Sequence, residues 1–121
     1  MHFLSMRARA FGHAFQGIYS FWFSGIHPRI MFGAAGITIA AGFLLQLMIW
    51  EWVTIILTCG LVLVTEAINS ALEYLVDLCS PQYHPLAKKC KDIAAGASLM
   101  ASIAALSVAM LIIFPKIWNM L

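Results

Sequence analysis

Charge is scarce in this sequence. Only 10% of its 121 residues are Asp, Glu, Lys or Arg, against about 25% in soluble globular chains. The net charge of +2 comes without any basic run, which argues against a nucleic-acid surface, since such surfaces are built on many phosphate contacts. Glycine-rich phosphate loops are missing too: neither G-x-x-x-x-G-K-[ST] nor G-x-G-x-x-G occurs. Any nucleotide must therefore be held without that backbone cradle. Cysteine is sparse and unpatterned. Cys59, Cys79 and Cys90 are odd in number and follow no C-x-x-C or Cys/His spacing, so they read as small apolar fillers and not as a metal or disulfide framework. A cleavable leader is not expected either, because Arg7 and Arg9 precede only short apolar stretches and no A-x-A site follows an apolar core. No internal repeat or low-complexity segment occurs.

What is abundant is apolar surface, at 63% of residues. A core of this size cannot enclose it, so most of it is expected to face lipid. The fold class expected is an all-α membrane protein forming one domain over residues 1–121. Residues 30–50 carry no charge and only Thr38 and Gln46 as polar interruptions, which matches the roughly 20 residues needed to cross a hydrocarbon core. Further spans are expected at about 52–76 and 93–114, with a tight turn at Glu51 and Trp52, a loop over 77–92 holding Pro81 and Pro85, and Pro115 closing the last helix. Ahead of them, Phe11, Phe15, Ile18, Tyr19 and Trp22 recur at helical spacing among Arg7, Arg9, His13 and Gln16. Residues 1–28 therefore read as an amphipathic helix lying at the interface. Arg7, Arg9, Arg29, Lys88, Lys89 and Lys91 fall on one side of the three spans and Lys116 on the other. Basic residues stay inside, so the N-terminus and the 77–92 segment are expected in the cytoplasm and the C-terminus outside. Ala97, Ala101, Ala105 and Ala109 recur every fourth position, and Gly96 adds a small residue. Such stripes let helix backbones approach closely, and three short helices enclose little interior, so a homo-oligomer is expected.

The informative feature is acid inside a membrane helix. An acid at mid-span costs about 2.5–3.5 kcal/mol on insertion scales and usually marks function. Glu66, Asn69, Glu73 and Asp77 lie at i, i+3, i+7 and i+11. At about 100° per residue the three acids fall within about 20° of one another, with Asn69 about 60° away. The stripe runs toward the end where Lys91 and Asp92 open the third helix. Carboxylates of this kind hold Mg²⁺ together with substrate phosphates. A glutamate at membrane depth also suits general-base work on a lipid hydroxyl, and Lys91 suits phosphate neutralisation. A proton or cation pathway uses the same residue types, and polar helix–helix glue is the chemically silent alternative. His84 reads as a structural hydrogen-bonding group of the loop.

Residues 66–98 (EAINSALEYLVDLCSPQYHPLAKKCKDIAAGAS) resemble the prokaryotic diacylglycerol kinase and undecaprenol kinase family. The pattern is E-A-hydrophobic-N-[ST]-A-hydrophobic-E, then V-D, Y-H-x-L-A-K and K-D-hydrophobic-A-A-G-A. Phe11, Ala14, Gly17 and Ile18 also look like that family's interfacial helix, and the likeness extends over about residues 10–115. It implies Mg²⁺- and ATP-dependent phosphorylation of a lipid alcohol, undecaprenol or diacylglycerol, by a homotrimer in the bacterial inner membrane with sites between subunits. By resemblance Glu66 is the base and Asn69 its polar partner. Glu73 is the metal ligand, Asp77 and Asp92 lie at the nucleotide, and Lys91 meets phosphate. One departure stands out. The family's acid ahead of the first span, in a pattern like E-x-N-x-R-I-H, falls on Gly25 in Gly25-Ile26-His27-Pro28-Arg29-Ile30-Met31. Glycine there leaves the metal one carboxylate short, unless the position needs backbone freedom at a bend into Pro28.

Overall fold

The computed structural model describes the backbone of residues 2–120 and the side chains of residues 6–120. Met1 and Leu121, the end residues of the expected domain and interfacial segment, lie outside the described residues. Four helices follow one another: α1 (His2–Trp22), α2 (Ile26–Leu44), α3 (Ile49–Cys79) and α4 (Pro85–Trp118), with no strand among the described residues. The all-helical class agrees with the sequence pattern.

α3 and α4 are each long and apolar enough to cross a membrane. At 31 and 34 residues they are roughly 46 and 51 Å long, well beyond a hydrocarbon core of about 30 Å. They therefore carry structure past the bilayer at their ends, and this corrects the expected 77–92 loop. Asp77 is still on α3, while Lys88, Lys89, Lys91 and Asp92 are already on α4. The connection shrinks to residues 80–84, where Ser80 ends α3 ahead of Pro81. His84 caps α4, its Nδ1 accepting from the Leu86 N–H at 3.2 Å, and Pro85 fits the first helical position because its missing N–H has no partner to lose there. That bears out the structural reading of His84. Pro115 does not close the last helix, which continues to Trp118.

The turn between α2 and α3 also comes earlier than expected. It occupies residues 45–48, with Gln46 at φ 52° supplying the left-handed step. Glu51 and Trp52 instead sit in the first turn of α3. The Glu51 carboxylate is buried and caps the helix, accepting from the Met48 N–H at 2.7 Å. Its second partner is Lys116 at the end of α4, at 3.0 Å. The hairpin closes tightly because Gly42 has no side chain: a Cβ there would lie 2.7 Å from Trp52 Cη2. Leu47, Ile55 and Ile112 bury themselves beside this turn, with Trp52, Cys59 and Val108 packed around them. The buried apolar cluster thus lies at the end remote from Lys88, Lys89 and Lys91.

α2 is shorter than its neighbours. Its charge-free part, residues 30–44, is about 22 Å long, and His27, Pro28 and Arg29 occupy its first turn. α1 leaves Phe11, Phe15, Ile18 and Tyr19 exposed and meets α2 through Trp22, whose ring lies 5.3 Å from that of Phe32. In the small-residue stripe Ala101 is buried. Gly96 is not a point of close approach within the chain, since a Cβ on it would meet nothing within 4 Å.

Candidate active site

The acid stripe of α3 faces two clefts, and the six candidate residues divide between them. Glu66, Asn69 and Glu73 line a polar cleft of about 370 Å³ closed by α4 on one side and by Gly25 and His27 at the start of α2 on the other. Glu66 and Asn69 are buried, at 7% and 8% exposure. Glu73, nearly two turns on, is exposed at the mouth. No lysine or arginine lines this cleft. Glu66 is instead met by Ser98 of α4, whose Oγ–H donates to Glu66 Oε2. The Asn69 Oδ1 atom is buried without a hydrogen-bond partner among the described residues, an unmet acceptor beside the acid.

Asp77, Lys91 and Asp92 line a second cleft, of about 270 Å³, around the α3–α4 connection. Lys91 Nζ pairs with Asp77 at 2.5 Å, and Asp92 pairs with Lys88, also at 2.5 Å. Asp92 therefore sits beside Lys91 in sequence but partners a different lysine. Both pairs are solvent-exposed, and such pairs contribute little to stability. A polyanion could replace Asp77 or Asp92 at small cost to the fold. The sequence places Glu66, Asn69, Glu73 and Asp77 in one stripe that ends at Lys91 and Asp92, and the structure separates the cleft of Glu66, Asn69 and Glu73 from an exposed one around Asp77, Lys91 and Asp92 at the same end of the helices.

The residue that sequence reading missed is Ser98. It sits inside the small-residue run of α4, where a hydroxyl among alanines was the only available sign. Its partner is 32 positions away, a separation that no periodicity reports.

Among the described residues no three His, Cys, Asp or Glu side chains converge as a ready-made metal site. The donors in the acid cleft are hard oxygens, with Glu73 at the mouth and the Asn69 carbonyl deeper in. Mg²⁺ commonly takes one or two carboxylates and fills its shell with water and substrate phosphates, so the residues present fit that ion in company with a nucleotide. The softer imidazole of His27 suits it poorly. Gly25 has φ 170°, extended backbone open to any residue, and a Cβ there would meet nothing within 4 Å. Backbone geometry does not require its glycine.

A third cleft, apolar and about 320 Å³, continues inward between α2, α3 and α4. Ile30, Ala34, Ile55, Val62, Ala105 and Ala109 line it, and it shares Met31 and Ser102 with the polar cleft. The polar and apolar clefts therefore lie next to one another.

Residues 12–113 match the family model described as prokaryotic diacylglycerol kinase. The undecaprenol kinase of Bacillus subtilis is 36% identical over 109 residues, covering 90% of this chain and 89% of that protein. The diacylglycerol kinase of Synechocystis sp. is 43% identical over 90 residues, 74% of this chain and 50% of its own length. That of Helicobacter pylori is 49% identical over 53 residues, 44% of this chain and 41% of its own.

Proposed function

This chain belongs to the prokaryotic diacylglycerol kinase family, and from that premise we propose that it moves the γ-phosphoryl group of ATP onto the primary hydroxyl of a membrane lipid alcohol. The reading is carried by one observation: a buried glutamate, Glu66, at the floor of a cleft whose mouth bears a second carboxylate, Glu73. Seven residues of helix separate the two by roughly 10 Å. The deep acid then lies at the depth of a lipid hydroxyl and the shallow one at the depth of a water-borne nucleotide.

In the reaction the lipid oxygen attacks the γ-phosphorus, the bond from that phosphorus to the ADP oxygen breaks, and the hydroxyl proton passes to Glu66. Asn69 orients the hydroxyl. Glu73 would hold Mg²⁺, which would neutralise charge on the phosphates. Lys91 leaves Asp77 for the phosphates, and Asp77 and Asp92 contact the rest of the nucleotide. In such transfers positioning and charge neutralisation supply most of the catalysis. The apolar cleft that adjoins the polar one suits the hydrocarbon chain of the acceptor. Undecaprenol and diacylglycerol both offer the required hydroxyl, and similarity over most of the chain to the Bacillus protein puts undecaprenol first.

The same reading makes α2 the third crossing, with residues 45–48 outside, α1 on the cytoplasmic surface of the inner membrane, and three copies assembling so that each site is completed by a neighbour. The lone carboxylate at the cleft mouth, opposite Gly25, favours a second reading, a catalytically silent membrane scaffold or ion-coupled carrier. Purified protein in detergent, given γ-labelled ATP and either lipid, separates the two. Transfer of label to lipid is expected, and no transfer to any lipid alcohol would defeat the kinase reading.

A further inference from the structure

Most serine and threonine hydroxyls in the long apolar helices of this chain follow one habit. Thr38, Thr54, Thr58, Thr65, Ser102 and Ser107 each donate to a carbonyl three or four residues back in their own helix. That is the ordinary way such groups are satisfied where water is absent. Among the described residues Ser98 alone sends its proton to another helix, to Glu66 Oε2. It forgoes the carbonyl of Ala94 to do so. Its position is well determined: Ser98 is 4% exposed, and its own carbonyl accepts from Ser102 Oγ at 2.9 Å.

The consequence falls on Glu66. Its neighbours in the cleft are His27 from α2 and Glu73 from α3, with no charged residue from α4, and neither hydrogen-bonds to it. Ser98 is its one hydrogen-bond donor among the described residues. Oε2 is occupied. Among the described residues Oε1 has no hydrogen-bond partner, and it is not sealed from the cleft.

We propose that Ser98 is the positioning residue of the base, its hydroxyl clamping Glu66 Oε2 so that Oε1 is presented to the acceptor hydroxyl. The inference rests on the reading of Glu66 as base, and it adds the reason this glutamate has a single orientation with no cation near it. A carboxylate with two free oxygens on a flexible side chain would sample several rotamers. One fixed oxygen leaves the other in place, and proton transfer needs the reacting atoms within hydrogen-bond reach.

The test compares Ser98→Ala and Ser98→Thr with the parent protein by steady-state kinetics and by infrared spectroscopy of the Glu66 carboxyl band, assigned through its loss in Glu66→Gln. A hydrogen bond to a charged group is worth enough for about a 10-fold effect or more. Ser98→Ala should therefore lower kcat by about that factor while leaving the KM for ATP unchanged, and should shift the band. Ser98→Thr, which keeps the hydroxyl, should restore both. A parental kcat in Ser98→Ala, or a fall in kcat with the band unmoved, overturns the clamp. If the parent protein transfers no phosphate at all, the kinase reading fails on its own account, and the band shift alone then decides whether Ser98 holds Glu66.

Discussion

α3 buries two glutamates, and they are treated in opposite ways. Glu51, at the end remote from Lys88, Lys89 and Lys91, is paired with a cation: Lys116 lies 3.0 Å from its carboxylate and the Met48 N–H donates to the same oxygen at 2.7 Å. It sits beside the buried apolar cluster and borders no polar cleft. Glu66 receives only a neutral hydroxyl and keeps one oxygen open to a cleft. Burying a charge is costly unless it is paired and hydrogen-bonded. Glu51 meets that requirement and behaves as architecture, a helix cap and a clasp between α3 and α4. Glu66 meets it only in part, and a side chain left short of partners in a low-dielectric place is what a catalytic acid or base looks like before substrate arrives.

Mutations can break this contrast. The largest effect is expected at Glu66, where Glu66→Gln keeps shape and removes the proton acceptor. Phosphoryl transfer should fall by at least about 100-fold, in line with general-base contributions, while the thermal midpoint in detergent holds. A fully active Glu66→Gln protein would place the base elsewhere. The second effect is the mirror image. Lys116→Met should lower the thermal midpoint by several degrees and leave kcat per folded protein unchanged, because it strands Glu51 in the interior. The double variant Glu51→Gln/Lys116→Met should recover most of that loss, and a failure to recover would mean that Lys116 acts by packing and not by charge.

Lys91 sharpens the comparison at the exposed cleft. Its pairing with Asp77 is on the surface, so Lys91→Ala should leave stability alone and raise the KM for ATP by about 10-fold, the scale of one lost charge-assisted contact. A change confined to the lipid KM would show that Lys91 serves the acceptor. The smallest effect is a gain. Gly25→Glu should raise the apparent Mg²⁺ affinity by a few-fold, since each added anionic oxygen ligand strengthens binding, while Gly25→Ala should be neutral. Equal damage from both would contradict the open space and extended backbone found at Gly25.

Much of this was readable in advance, for definite reasons. Hydrophobic runs report α3 and α4 because lipid-facing helices must be apolar along most of their length. The coincidence of Glu66, Asn69, Glu73 and Asp77 on one face follows from the helical repeat alone. Boundaries were read less well where a polar residue proved to be internal. Glu51 interrupts the apolar run and so suggests a turn, yet it lies inside α3, and the 77–92 segment suggests a loop because its polarity marks the bilayer edge and not the helix end.

Composition, span length and the acid stripe are local or periodic properties, so the chain by itself determined that this is an all-helical membrane protein with acids aligned toward its lysine-rich end, and its motifs determined the family. Tertiary structure alone decided which acid would be neutralised and which left open. Glu51 meets Lys116 and Glu66 meets Ser98 only because α3 and α4 run antiparallel in one register. These partners are 65 and 32 positions apart (116 − 51 and 98 − 66). Contacts at such separations depend on how two helices slide and rotate against each other, which side-chain packing settles and no spacing along the chain encodes.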